Sequence, residues 1–285
     1  MVVDTGNHKP ICVPQPRYGL FESPIMQKTI DNLLALNFIT PDTSSPWGFK
    51  ITLAPKPHQE DITDINDFIW RFCINYIQLN RITRPSEYPI PRCDDAVMNG
   101  FGSATFFVLM DAHSGYHQIR LAPETAMKTA FFAPHGRKYM YIVMPFGLKN
   151  VPAVFVQIMH NMKALWMQLC EKCGVPPSQD EGTTIIIDDI FIYAVTEDNI
   201  FIILECIAMI ARKYHLTLKL KKCQWFPKEI EFVGVDISKS GNSPAKSKFE
   251  YLKAWKLPKS PREIMAFIGF AMFYFQWIPF FEIKI

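Results

Sequence analysis

The 285-residue chain contains no internal repeat and no low-complexity tract. It is also short of charge. Asp, Glu, Lys and Arg make up only 20% of it and the net charge is +3. That balance excludes an intrinsically disordered chain and is compatible with a nucleic-acid partner without pointing to one. The seven cysteines are odd in number and scattered, and no signal peptide precedes them. A disulfide framework is therefore not expected, and reduced thiols in an intracellular protein are. Cys170 and Cys173 form a CxxC pair with no second pair or histidine at zinc spacing, which argues against a structural zinc. What the chain does have is apolar mass, at 49%, enough for one large domain or two to three subdomains. Half of its 22 prolines fall between Pro10 and Pro91, so the front half reads as short elements joined by loops.

One stretch stands out. In Thr183-Thr184-Ile185-Ile186-Ile187-Asp188-Asp189-Ile190-Phe191-Ile192-Tyr193, β-branched and aromatic residues flank two adjacent aspartates. This reads as a hairpin with Asp188-Asp189 at its tip. Carboxylates in apolar surroundings need a cation, and Mg²⁺ takes oxygen ligands of this kind. Ordinary turn chemistry also accounts for Asp at a hairpin tip. A third carboxylate, Asp111, ends the apolar run 105–110, which has strand length. Strand-borne carboxylates of this sort can share a pair of metal ions in phosphoryl transfer. Arg71, Lys128 and Lys149 are candidate phosphate-neutralising cations.

The remaining pattern alternates helices and strands. Helical spacing is read over 24–38, 152–167, 196–213, 249–255 and 261–277, with Thr196 a candidate N-cap. A short helix is read over 94–98. Strands are read over 49–54, 69–76, 139–145 and 230–237, a polar hairpin loop over 55–67, and a turn over 241–244. Asp4-Thr5-Gly6 has the letters of an aspartic-protease signature. With His8, Lys9 and Pro10 directly after it, a loosely held arm is the preferred reading.

In order, these blocks closely resemble the reverse transcriptase of gypsy-type LTR retrotransposons. Ser45-Pro46-Trp47 and Trp70-Arg71-Phe72-Cys73-Ile74-Asn75-Tyr76 with Leu79-Asn80 match its early blocks. Tyr88-Pro89-Ile90-Pro91-Arg92 with Asp94-Asp95, and the run Asp111-Ala112-His113-Ser114-Gly115-Tyr116-His117-Gln118, follow. Lys128-Thr129-Ala130-Phe131, Pro145-Phe146-Gly147-Leu148, Lys222-Cys223, Phe232-Val233-Gly234 and Phe267-Ile268-Gly269 complete the set. The resemblance covers nearly the whole chain.

It implies an α+β right-hand polymerase: N-terminal arm and fingers over 1–85, palm over 86–120, fingers over 121–149, palm over 150–237 and a partial thumb over 238–285. It implies RNA-directed DNA polymerase activity, by two-metal nucleotidyl transfer from a dNTP to a primer 3′-hydroxyl. Asp111 and Asp188 would hold two Mg²⁺ ions, with Asp189 assisting and Mn²⁺ as a substitute. Arg71 and Lys56 would meet the triphosphate. Tyr116 would be a steric gate against ribose, and Ala112, Phe146 and Gly147 would line the nucleotide pocket. The implied partners are an RNA or DNA template with its primer and dNTPs, in the cytoplasm or a retroelement particle, or the nucleus.

The sequence departs from the family in places. Ile186 stands where the family has tyrosine two places before the aspartate pair, and Asn75 and Ile77 replace its Asp and Arg. The stretch 264–281 is apolar enough to be a membrane-span candidate, although a thumb helix is the preferred reading. RNase H, integrase and protease segments are absent from the chain. The expectation is a polyprotein fragment. The alternative is a catalytically impaired remnant that folds and at most binds nucleic acid.

Overall fold

The computed structural model describes residues 1–56, 69–91, 97, 101–112 and 114–278. The polar loop read over 55–67 and the short helix read over 94–98 fall largely outside them. Two compact units interleave in sequence. The first takes Met1–Pro89 and Ser114–Phe155, the second Ile90–His113 and Val156–Ile285. The fold class is α+β, as the sequence implies.

In the first unit, helix α1 (Glu22–Ala35) precedes β1 (Ile39–Pro41), β2 (Phe49–Pro55), β3 (Trp70–Ile74) and α2 (Ile77–Ile82). Then come α3 (Pro123–Lys128), β5 (Phe131–Phe132) and β6 (Lys138–Tyr141). The sheet order is β1-β6-β5-β2-β3. On β2, Phe49 and Ile51 are buried while Lys50 and Thr52 are exposed, the period-2 pattern of a sheet with one wet face. The buried face carries Phe49 edge-on to Tyr76 at 5.4 Å, and the Tyr76 hydroxyl donates to the Thr129 carbonyl at 2.9 Å. Helices α2 and α3 were not read from the sequence. At six residues each they are too short to display a helical period.

The N-terminal arm is not loose. Val3 and Thr5 are buried, and the Val3 amide donates to Thr125 Oγ1 at 2.9 Å. Lys128 Nζ donates to the Val3 carbonyl at 2.7 Å and to Thr5 Oγ1 at 3.1 Å. This is a correction to the sequence reading: a buried valine and three hydrogen bonds outweigh the polar character of the segment.

The second unit holds β4 (Phe106–Asp111), helix α4 (Val151–Lys172, from residue 156 on), β7 (Gly182–Ile186), β8 (Asp189–Ala194) and α5 (Glu197–Tyr214). The short β9 (Gln224–Trp225) completes a sheet of order β7-β8-β4-β9. One face of this sheet bears Val108, Met110, Ile190 and Ile192. On it, α5 lies against β8, and Trp166 of α4 donates its indole N–H to Thr183 Oγ1 at 3.1 Å. Thr196 caps α5 by accepting the Asn199 amide at 3.2 Å, as expected. The opposite face carries Phe107, Leu109, Phe191 and Tyr193. Here Phe191 stacks on Phe107 at 5.9 Å and on Phe232 at 4.8 Å. Each such fully buried phenylalanine contributes about 1.5–3 kcal/mol.

Two readings of this unit are corrected. The run 230–237 is not one strand. It is β10 (Glu229–Phe232) and β11 (Val235–Ser238), turned at Val233-Gly234. The predicted turn at 241–244 is strand β12 (Gly241–Pro244), paired to β11. The chain reverses at Gly234 with φ +78°, a conformation that glycine adopts without strain. The C-terminal helices are α6 (Lys246–Lys253) and α7 (Pro261–Phe273). Among the described residues no helix is long and apolar enough to cross a membrane.

A Cβ at residue 234 would stand 2.8 Å from the Tyr274 hydroxyl, besides adopting a left-handed φ. Gly234→Ala is therefore expected to lower stability by about 1–3 kcal/mol in urea unfolding. A loss below about 0.5 kcal/mol would contradict this account of the turn.

Candidate active site

Register places the carboxylates. In the β4–β8 ladder Asp111 is directly opposite Asp189, and Ile186 of β7 is directly opposite Asp189 on the other side. Partners directly opposite in antiparallel strands share a face. Asp111, Asp189 and Ile186 thus end the same face that begins with Phe107 and Tyr193. The hairpin tip is Ile187-Asp188, not Asp188-Asp189, because Asp189 is already the first residue of β8. Ile187 takes φ +52°, a strained value for a β-branched residue. The Asp188 carbonyl accepts the Ala112 amide at 3.2 Å, which fastens the tip to the end of β4.

Like charges directly opposite one another destabilise a sheet. The consequence appears in the acidities. Burial first, then Asp189 and Asp111, raise the pKa of Asp188 above the usual carboxylate value, while Lys222 works against them. Burial and then Asp111 raise Asp189 in the same way, again opposed by Lys222. Asp188 Oδ1 is buried with no hydrogen-bond partner. Among the described residues, the cation in direct contact is Lys222, whose Nζ lies 3.2 Å from Asp111 Oδ2. It comes from the single turn Leu220–Lys222, which is tied to β4 by the Lys219 amide donating to the Asp111 carbonyl at 2.8 Å.

Among the described residues, no three His, Cys, Asp or Glu side chains are drawn together as a ready metal cage. The donor set nonetheless fits a hard divalent cation. It is all carboxylate oxygen, one oxygen is buried without a donor, and the groups repel one another.

The other site candidates lie in the first unit, apart from Ala112, which is buried beside Asp111. Arg71 is exposed on β3 opposite Ala54, and the Lys56 amide donates to the Ile69 carbonyl at 2.9 Å, continuing the β2–β3 pairing. By strand alternation Arg71 and Lys56 therefore fall on one face of this hairpin, along with exposed Lys50. Tyr116 sits in the single turn Gly115–Gln118. Its ring lies 5.2 Å from Phe146 and 5.3 Å, edge-on, from Phe155. Phe146 is 57% exposed yet rests edge-on against His117 at 5.2 Å. Burial lowers the His117 pKa, and its ring, stacked 6.2 Å from Tyr141, belongs to this aromatic support.

Gly147 takes φ +90°. Asn80 holds the loop on both sides of Leu148: its Nδ2 donates to the Gly147 carbonyl at 2.8 Å, and its Oδ1 accepts the Lys149 amide at 2.9 Å. Sequence reasoning noted Asn80 only as part of a matching block. The signal was a lone amide following a leucine, with nothing local to say what it grips. Backbone carbonyls engage the ammonium groups of both Lys128 and Lys149, that of Lys149 through Thr83 at 3.0 Å. His113 lies outside the described residues.

A sheet ending in opposed aspartates, with a two-residue hairpin carrying a third, defines the class. The chain belongs to the reverse transcriptase (RNA-dependent DNA polymerase) family, whose family model matches residues 66–237. Within it, the chain is homologous to the Pol polyproteins of gypsy-type LTR retrotransposons. The retrovirus-related Pol polyprotein from transposon 297 of Drosophila melanogaster is 28% identical over 278 residues, covering 98% of this chain and 24% of that protein. The one from transposon opus, also of Drosophila melanogaster, is 27% identical and covers 97% and 26%. The chain thus spans about a quarter of the length of these curated relatives. A structure of the foamy viral protease-reverse transcriptase in complex with double-stranded DNA matches with a TM-score of 0.76 at 20% identity, over 94% of this chain and 44% of that one. Its complex with an RNA/DNA hybrid gives a TM-score of 0.73 at 20% identity, over 94% and 33%. At that identity the likeness is one of fold.

The raised pKa values of Asp188 and Asp189 set a pH dependence. Asp188 and Asp189 bind protons more readily folded than unfolded, so metal-free stability falls as pH rises from the ordinary carboxylate value through their raised ones. Above that window the penalty is complete. Asp188→Asn should then raise the metal-free melting temperature near pH 7 by about 1–2 °C, because it removes the charge that Asp189 and Asp111 oppose, a partly exposed like-charge contact costing below about 1 kcal/mol. The gain should vanish near pH 4, the ordinary carboxylate range. Calorimetry across that range showing no gain, or a loss, at neutral pH would refute the repulsion.

Proposed function

We propose that this chain is the polymerase portion of a retrotransposon polyprotein, joining a dNTP to a primer 3′-hydroxyl on an RNA or DNA template. The hydroxyl oxygen would attack the α-phosphorus, and pyrophosphate would leave. The observation that carries the reading is the opposition of Asp111 and Asp189, with Asp188 Oδ1 buried and unpartnered beside them. Asp111 and Asp188 would hold Mg²⁺ or Mn²⁺, with Asp189 assisting. The bound ions supply charge neutralisation at the attacking and leaving oxygens.

The chain's own residues do the positioning, which provides much of the rate in such transfers. Arg71, with Lys56 on the same hairpin face, neutralises the triphosphate. The Tyr116 ring, braced by Phe146 and Phe155, meets the sugar and collides with a 2′-hydroxyl. Exposed Phe146 and the glycine after it present an apolar ledge and a close backbone approach to the nucleotide, and Ala112 contributes backbone at the end of β4. We further propose that segments 1–85 and 121–149 act as fingers, 86–120 and 150–237 as palm, and 238–285 as part of a thumb.

One observation favours a second reading, a remnant that binds nucleic acid without chemistry. Ile186 shares a face with Asp111 and Asp189 and packs against the aromatic cluster, so it offers no hydroxyl to a primer end.

Primer extension on an RNA template with Mg²⁺ separates the two. The parent chain should extend the primer, and Asp188→Asn should lose at least about 10³-fold in rate while keeping its circular dichroism spectrum. Absence of extension by a folded parent chain would favour the remnant. In an active chain Tyr116→Val should admit ribonucleotides, and an unchanged dNTP preference would remove the gate assignment.

A further inference from the structure

Lys222 is held where a metal ion would otherwise be needed. Its ammonium lies 3.2 Å from Asp111 Oδ2, and its charge favours the ionised forms of the neighbouring Asp188 and Asp189. The contact is built by backbone. After α5 the chain turns at His215 with φ +58°, and Leu218 bridges Ala112. The Lys219 amide then bonds to the Asp111 carbonyl, and the Leu220–Lys222 turn closes with the Cys223 amide on the Leu220 carbonyl at 3.2 Å. The head of Lys222 is delivered to the end of β4 by these four constraints, not by the reach of a free surface chain.

We infer that Lys222 is the resting counter-ion of the three-aspartate site, a monovalent stand-in that a divalent cation must displace from Asp111. The inference rests on the proposed reading of the carboxylates as metal ligands. Two observations carry it beyond that reading. First, the carboxylates are not drawn into a cage, and one oxygen of Asp188 is left without a partner: a single ammonium on Asp111 cannot serve all three groups. Second, the pair is partly exposed, 57% for the Lys222 side chain and 25% for that of Asp111, so it is weak enough to exchange. An ion of charge +2 gains more from the same three carboxylates than an ammonium does. Lys222 thus lowers metal affinity while keeping the metal-free site folded, and makes loading and release sensitive to what becomes of one side chain.

The test is a Mn²⁺ titration of the whole chain by electron paramagnetic resonance, without nucleotide or primer. Parent, Lys222→Met, Lys222→Gln, Lys222→Arg and Asp111→Asn are compared. The neutral variants are expected to bind Mn²⁺ about threefold to tenfold more tightly, and the charge-retaining arginine to stay within about twofold of the parent. The difference should shrink as salt is raised. Asp111→Asn is expected to weaken binding about tenfold or more. If Asp111→Asn leaves Mn²⁺ binding unchanged, the metal reading of the carboxylates falls. If Asp111→Asn weakens binding but both neutral variants bind no more tightly than the parent, the metal reading stands and the role given to Lys222 is wrong.

Discussion

Two carboxylates face each other across a β-ladder, and much of this molecule is arranged around that repulsion. Asp111 and Asp189 are direct partners at the end of β4 and β8, and Asp188 is fastened beside them by its carbonyl. A sheet tolerates such an end only if the rest of its register is strongly enforced. Here it is. Five residue pairs of the same ladder lie between apolar or aromatic neighbours, and slipping by one residue would turn Phe107 and Phe191 out of the aromatic cluster. The hydrophobic core thus holds the carboxylates in opposition against their own electrostatics, and a cation has to answer them. In the metal-free chain Lys222 answers in part.

The same logic explains where glycine and polar side chains sit. Gly234 lets β10 turn into β11 beneath Tyr274, and this hairpin supplies Phe232 and Val235 to the cluster under β8. In the first unit, Gly147 has a left-handed backbone and Asn80 fastens its loop by two hydrogen bonds. That leaves Phe146 exposed at a defined place, supported by Tyr116 and His117.

Ile186 shows how one substitution can be conservative for the fold and not for chemistry. Its side chain joins the aromatic cluster as an apolar group of similar reach to the residues around it, so β7 keeps its place and the Ile186–Asp189 pair closes the hairpin. What changes is the polarity of the surface next to the carboxylates.

The apolar run ending on Asp111, the Thr196 cap and the aspartate-bearing hairpin were all legible in the linear chain, because each is set by neighbours within a few residues. The ordered motifs likewise carried the family. Short elements such as Ile77–Ile82 and the split of 229–238 into two strands were not legible, since six residues show no period and a turn at Val233-Gly234 looks locally like more strand. The destinations of long polar side chains were not legible either. Lys128 and Lys149 were candidate phosphate cations and bind backbone carbonyls, while Lys222 and Asn80 stood in matching blocks with nothing local to name their partners, the Asp111 carboxylate for one and the Gly147 carbonyl for the other. The sequence by itself determined which residue types were present and which strands would bear them. Only tertiary structure decided which charges meet, because a lysine or asparagine finds its partner across more than sixty residues of chain, where the fold alone sets the distance.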